Sequence, residues 1–348
     1  MRLRVGLVGL GDTWPERHAP ALRALAAQFK VRAVCDQVVH RAQQAATEFS
    51  AVAVDSYRAL VRREDLDAVL ILSPQWFGPL PILAASESGK AVYCAGGLDL
   101  QPEEAASVKQ RVEQAGIAFM PEFPRRHAPA TLRLKELIAT RLSDARLIFC
   151  HRRAGAEDDR GHAPADWPER GNMHDLIELV DWCCYVVDRE PTMVTGLMHQ
   201  SDGRLPGEDY QMMSLDFSEP AAPGAGPVAQ ISCGRYIPAR WEEAISFRPL
   251  AALQVCCERG VAFIDLPSTL IWFDEAGRHQ ESLDSERPVG EQMLLQFHRA
   301  ATGAACKTCG LADAHRAITI VQLARRSHLE GRRIELEKGD RRAFLGDD

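Results

Sequence analysis

Two sets of residues in this 348-residue chain have types and spacings that could do chemistry. The first is Gly6-Leu-Val-Gly9-Leu-Gly11, which ends an apolar run and opens a helical pattern. Gly9 permits a tight turn, and Gly11 lets a pyrophosphate approach the backbone. The helix start behind them supplies free N–H groups and a positive dipole end. The third glycine of G-x-G-x-x-G would fall at Trp14, whose bulk alters the phosphate turn. Asp36 closes the next apolar run, VRAVCD, where a carboxylate accepts the ribose hydroxyls of NAD. Asp36 would repel a 2′-phosphate, which favours NAD. His40 and Arg41 lie close behind it and could offset that repulsion, so NADP is the alternative.

The second set is His174, Glu178 and Asp181. Their i, i+4, i+7 spacing puts them on one face of a helix, with about 6 Å of rise between the first two. Imidazole and carboxylate so placed suit general acid–base work, Glu178 setting the tautomer of His174. The same trio could hold a divalent metal or form a structural polar stripe. No metal site is expected.

The elements that must position these residues can be read from patterning. Residues 4–10, 31–36, 52–55, 67–74, 91–94 and 117–120 are short apolar strands. They alternate with helical stretches at 12–29, 40–49, 56–63, 80–88 and 102–115, Ser56 capping the third. Strands without polar alternation are buried on both faces. Regular alternation with helices predicts a doubly wound parallel sheet, an α/β Rossmann domain over 1–123. Residues 124–348 form the second domain. There, runs at 191–199, 210–217, 228–238, 251–257, 261–265 and 270–274 read as strands of an open, largely antiparallel sheet. Helices at 127–142, 172–187 and 312–329 cover one face of it. The polar stretch 156–171 reads as a loop long enough for a lid, with Trp167 placed to stack on a substrate ring.

Composition bounds the function class. Apolar residues are 46% and charged residues 26%, ordinary for a globular chain of two domains. The formal charge of −7 is a poor footprint for nucleic acid. Apolar runs are too short for a membrane span. The N-terminus lacks the apolar core of a signal peptide, so the expectation is a cytoplasmic protein with its ten cysteines reduced. Adjacent pairs such as Cys183-Cys184 read as small core hydrophobes. Cys306 and Cys309 form a lone CxxC, read as loop.

Several stretches resemble the Gfo/Idh/MocA oxidoreductases, the family of glucose–fructose oxidoreductase and inositol dehydrogenase. They are VGLVGLG (5–11), AVCDQVVHRAQQAATEF (33–49), DLDAVLILSPQWFGPLPILAASESGKAVYC (65–94), FPRRHAPATLRLKELI (123–138), GNMHDLIELVDWCCYVVDREP (171–191), ERGVAFID (258–265) and LEGRRIEL (329–336). The resemblance implies a Rossmann domain followed by a substrate domain, with Ser73, Pro74 and Gln75 lining the cofactor. The full set of expected cofactor contacts is Gly9, Gly11, Asp12, Trp14, Asp36, Arg41, Ser73, Pro74, Gln75 and Ala95. It also implies a homo-oligomer and a small-molecule substrate.

The family's catalytic parts do not carry over. The lysine of its Glu-Lys-Pro motif is replaced by Gly96. Where the family has Asp-x-x-x-His on a helix, this chain has His174 and Glu178. The expectation is therefore a rebuilt site, with His174, Glu178 and Asp181 catalytic. Arg125, Arg126, His151, Arg153 and Trp167 are expected substrate contacts, His151 and Arg153 sharing a strand face. The leading reading is an NAD(P)-binding oxidoreductase-like protein acting on a sugar, cyclitol or similar polar molecule. Its alternatives are a non-catalytic binding or scaffold protein, and a metal-dependent lyase, isomerase or hydrolase built on His174 and Glu178.

Overall fold

A computed structural model describes residues 1–98, 100, 102–156, 167–200, 209–219, 221–238, 240–247, 251–265, 268–303 and 310–336. The chain divides into two compact units, Met1–His127 with Arg287–His315, and Ala128–Glu286 with Arg316–Asp348.

In the first unit, β1 (Leu3–Val8), β2 (Phe29–Cys35), β3 (Val52–Ala53), β4 (Ala68–Ile71), β5 (Ala91–Cys94) and β6 (Phe119–Pro121) pair in the order β3-β2-β1-β4-β5-β6. Every pairing is parallel. The connecting helices are α1 (Ala19–Ala24), α2 (Val39–Glu48), α3 (Tyr57–Val61), α4 (Pro74–Phe77), α5 (Leu80–Glu87) and α6 (Pro102–Ala115), with α7 (Pro124–His127) following β6. Apolar strands such as Ala68-Val69-Leu70-Ile71 are completely buried, as a sheet covered on both faces requires. The Ser56 cap is present, its hydroxyl accepting from Ala59 N–H.

Two features differ from the sequence expectation. The helix expected over 12–29 is a π-helical turn (Trp14–His18) running into the short α1, because the chain must turn back to insert Phe29 into β2. The segment 287–315, which a cut at 123/124 assigns to the second domain, belongs with the first. Its helix α11 (Val289–Ala301) buries Met293, Leu294 and Phe297 in the same core as Leu3, Leu7 and Tyr93.

The second unit is a nine-stranded sheet. Its strands are β7 (Ala145–Ala156), β8 (Met193–Gln200), β9 (Asp209–Asp216), β10 (Val228–Pro238), β11 (Leu253–Cys257), β12 (Val261–Asp265), β13 (Thr269–Asp274), β14 (Gly277–Ser282) and β15 (Ile334–Glu335). The order is β14-β13-β12-β11-β7-β10-β9-β8-β15, antiparallel except for the β7/β10 pair. The helices are α8 (Pro129–Leu137), α9 (Trp167–Val187), α10 (Glu242–Ser246) and α12 (Leu311–Glu330), α12 running on from the first unit. Thus α9 begins within the stretch read as loop, and Cys306 and Cys309 lie outside the described residues. Nearly every residue of α9 from Met173 onward is buried, and the Trp182 indole N–H donates to Thr131 Oγ1 at 2.9 Å. This helix is a core element rather than an amphipathic cover.

Candidate active site

The first unit builds a cradle where strand order reverses, between the C-terminal ends of β1 and β4. Open α/β sheets bind ligands at this switch point. Gly9 and Gly11 have φ of +67° and +63°, a backbone region costly for other residues. Space alone would exclude side chains as well. A Cβ on Gly9 would lie 2.6 Å from Ser73 Cβ, and one on Gly11 would strike the Leu72 carbonyl oxygen. The glycines therefore let the β1 turn close on the end of β4, where Ser73 is buried.

Asp36 stands just past β2, and each of its carboxylate oxygens takes a backbone N–H. Leu10 N–H donates to Oδ2 and Val38 N–H to Oδ1, both at 2.8 Å. The acid is thus fixed against the glycine turn, with lone pairs left for further donors. Arg41 Nη2 donates to the Gly11 carbonyl at 3.1 Å. Asp12 is exposed. Pro74 starts α4, and the Gln75 side chain lies outside the described residues. Trp14 packs edge-on against Phe49, ring centroids 5.8 Å apart, at the margin of the core. Ala95 is buried in that core, and Gly96 follows in a 3-10 turn with φ of +73°. The residues present fit a dinucleotide: a glycine cradle, and a pre-positioned acid.

Of the two arginines after β6, Arg126 is taken up within the first unit. Its Nη1 lies 3.4 Å from Asp313 Oδ2, and its guanidinium sits over the Phe123 ring. Arg125 is half-buried.

In the second unit, His174 Nε2 lies 3.4 Å from Glu178 Oε1, with Glu178 buried and His174 half-buried. Asp181 is buried about one helical turn beyond Glu178. No group of three or more His, Cys, Asp or Glu able to hold a metal exists among the described residues.

The sheet supplies partners that the sequence pattern assigned differently. His151 and Arg153 do share a face of β7, but it is the face turned away from α9. His151 Nδ1 lies 2.7 Å from Ser232 Oγ, and Arg153 Nη2 donates to the Phe247 carbonyl at 3.1 Å. Burial holds the His151 imidazole below its ordinary pKa. The residue between them, Arg152, points to the helix, its Nη1 lying 2.6 Å from Asp175 Oδ1. Asp175 is buried. Burial raises its carboxyl above the ordinary range, although Arg152 and His174 oppose that shift. Cys233, opposite Arg152 on β10, directs its thiol to Asp175 Oδ2 at 3.9 Å. Sequence reasoning missed Arg152 and Asp175. The available signal was a buried helix carrying an acid, which needs a cation from whichever strand face it covers. The Trp167 side chain lies outside the described residues.

Residues 3–123 match the family described as oxidoreductase family, NAD-binding Rossmann fold (GFO_IDH_MocA). The D-xylose 1-dehydrogenase (NADP(+)) 2 of Haloferax volcanii is 31% identical over 138 residues, 39% of this chain and 42% of that protein. The shared stretch thus spans less than half of that relative. The dTDP-3,4-didehydro-2,6-dideoxy-alpha-D-glucose 3-reductase of Streptomyces violaceoruber is 27% identical over 320 residues, 87% of this chain and 83% of that one. A levoglucosan dehydrogenase solved with NADH and levoglucosan superposes with a TM-score of 0.79 at 16% identity, covering 96% of this chain and 99% of that chain. At that identity the likeness speaks to the fold. No helix among the described residues is long and apolar enough to cross a membrane.

Proposed function

We propose, of a chain that belongs to the Gfo/Idh/MocA oxidoreductase family through its NAD-binding Rossmann unit, that it oxidises or reduces a CH–OH group. The substrate is a sugar, cyclitol or similar small polar molecule, as the names of its relatives, a scyllo-inositol 2-dehydrogenase of Bacillus subtilis among them, suggest. The observation that carries this reading is Asp36, held by Leu10 and Val38 N–H groups beside the Gly9–Gly11 turn. Gly9, Gly11, Asp36 and Ser73 would hold the dinucleotide. Bound there, it supplies the hydride acceptor or donor.

An alcohol that gives up hydride must also lose a proton. His174 is the group assigned to take it. Glu178 at 3.4 Å biases Nε2 toward its protonated form and leaves Nδ1 as the basic nitrogen. As the imidazole becomes cationic, the same carboxylate stabilises it. Asp175 and Arg152 neutralise one another behind this pair and hold the helix against β7. NAD rather than NADP is supported by the Asp36 carboxylate, and by Arg41 being engaged with the Gly11 carbonyl.

A second reading, a binding protein without turnover, is favoured by one observation. By the resemblance, Gly96 stands where the family carries its lysine, and it offers no side chain. Assembly into a homo-oligomer is also proposed. Leu147, Leu197 and Phe273 are exposed on the sheet face turned away from α9.

The test is a fluorescence titration with NADH and NADPH, followed by turnover on a sugar and cyclitol panel. Micromolar NADH binding that weakens in Asp36→Ala supports the reading, and binding of neither dinucleotide overturns it. Unchanged turnover in both His174→Ala and Glu178→Ala would remove them from the chemistry. Binding without any turnover would establish the second reading.

A further inference from the structure

The α9-covered face of the second sheet carries polar groups that the His174–Glu178 pair does not use. Strand register places Arg152, Cys233 and Gln211 side by side across β7, β10 and β9. Arg235 follows two residues after Cys233, on the same face. Arg152 is neutralised by Asp175. Arg235 forms no ion pair among the described residues, and its buried Nε has no hydrogen-bond partner. Its charge nevertheless acts on Asp175, which places it in the same cluster. Gln211 is 7% exposed, and its buried Oε1 has no partner among the described residues either.

A guanidinium keeps its charge in any protein environment, and buried polar atoms ordinarily find partners. Two orphaned groups on adjacent strands, one a donor and one an acceptor, therefore describe a ligand by complement. The Nε edge of a guanidinium matches a planar carboxylate through paired N–H donors. An amide oxygen on the neighbouring strand requires a hydroxyl or N–H donor.

We propose that Arg235 and Gln211 form a subsite for a carboxylate with a neighbouring hydroxyl, so that the substrate is a polyhydroxylated acid such as an aldonic or uronic acid. This rests on the oxidoreductase reading for its reaction but not for its binding. Arg235 receives the carboxylate, and Gln211 Oε1 accepts from the hydroxyl. A phosphorylated sugar offers the same charge in tetrahedral form, and the experiment separates the two.

Calorimetric titrations with NADH present would compare glucuronate and gluconate with glucose, myo-inositol and glucose 6-phosphate. The expected result is tenfold or tighter binding of at least one acid over the neutral compounds and over the phosphate. In Arg235→Gln that preference should collapse toward one. Arg235→Lys, which keeps the charge but loses the fork, should retain only part of it. Gln211→Leu should weaken the acid as well. A circular dichroism spectrum and a melting temperature matching wild type certify that each variant has folded in both units, since Arg235 and Gln211 lie in the second unit and the dinucleotide cradle in the first. Acids that bind no better than neutral sugars, or an equal loss for all ligands in Arg235→Gln, would overturn the proposal. Preference for the phosphate would overturn the carboxylate assignment. Turnover of neutral sugars with acids rejected leaves the oxidoreductase reading standing and this one fallen. Acid-selective binding with no turnover does the reverse.

Discussion

His18 and Glu122, 104 residues apart in the chain, meet inside the first unit with Nε2 and Oε2 3.0 Å apart. Both are about 1% exposed, and Arg17 pairs with the other carboxylate oxygen. Burial alone would raise the Glu122 carboxyl, but the charges and hydrogen bonds of His18 and Arg17 outweigh it and hold the group below its ordinary 4.5. A carboxyl lowered in this way stabilises the fold above its ordinary pKa and loses that contribution as pH falls through its folded value. Glu122→Gln should therefore cost about 3 kcal/mol at pH 7. The difference from wild type should shrink below pH 4.5. Urea unfolding at pH 7 and pH 4 checks this, and a pH-independent difference would contradict it.

His127 titrates in a separate window. Burial, reinforced by the charge of Arg126, pushes its imidazole from 6.5 down to about 4, and its buried Nε2 has no hydrogen-bond partner among the described residues. Between those values the unfolded chain takes up a proton that the folded chain refuses, so stability falls as pH drops. The loss is at most about 3 kcal/mol. His127→Leu should flatten the stability profile between pH 6.5 and 4 while leaving the limb below it. A profile unchanged by the substitution would show that His127 does not set it.

Gly11→Ala tests the cradle without removing any polar group. The new methyl meets the Leu72 carbonyl at a backbone φ of +63°. The β1 turn must then move away from β4. NADH affinity should fall at least tenfold, with a melting temperature lowered by a few degrees. Wild-type affinity in this variant would show that the close approach is not needed for binding.

Arg152→Ala should destabilise by about 3 kcal/mol, because it leaves Asp175 buried without its cation. The Asp175 carboxyl is already raised by burial, and without Arg152 it rises further. A raised group loses its contribution as pH climbs through the folded pKa. The Arg152→Ala defect should therefore be larger at pH 8 than at pH 5, and Arg152→Ala with Asp175→Asn should recover part of it. Thermal melts of the two variants decide the matter, and equal defects at both pH values would rule it out.

What the sequence made legible was local. The glycine turn, Asp36 at a strand end and the i, i+4 pair of His174 and Glu178 each depend on a few adjacent residues, and the structure places them together as spaced. Alternation along β7 correctly grouped His151 with Arg153, but alternation does not say which face a helix covers. That information comes from cross-strand register, which sets Arg152 opposite Cys233 and Cys233 opposite Gln211. Arg235 and Gln211 were hidden for the same reason. Glu122 passed unnoticed because its partners, Arg17 and His18, come from the first helical turns of the chain.

The return of α11 to the first core sets an order of events during synthesis. Met293, Leu294 and Phe297 complete the packing around Leu3, Leu7 and Tyr93. A nascent chain that has emerged only through His127 therefore carries a nucleotide-binding unit with an open flank. It stays incomplete until the ribosome has made the intervening unit, at roughly 5–20 residues per second a wait on the order of ten seconds or more. During that interval the exposed apolar flank is a surface for chaperones. A truncated Rossmann fragment, cut after residue 123, would keep that flank permanently.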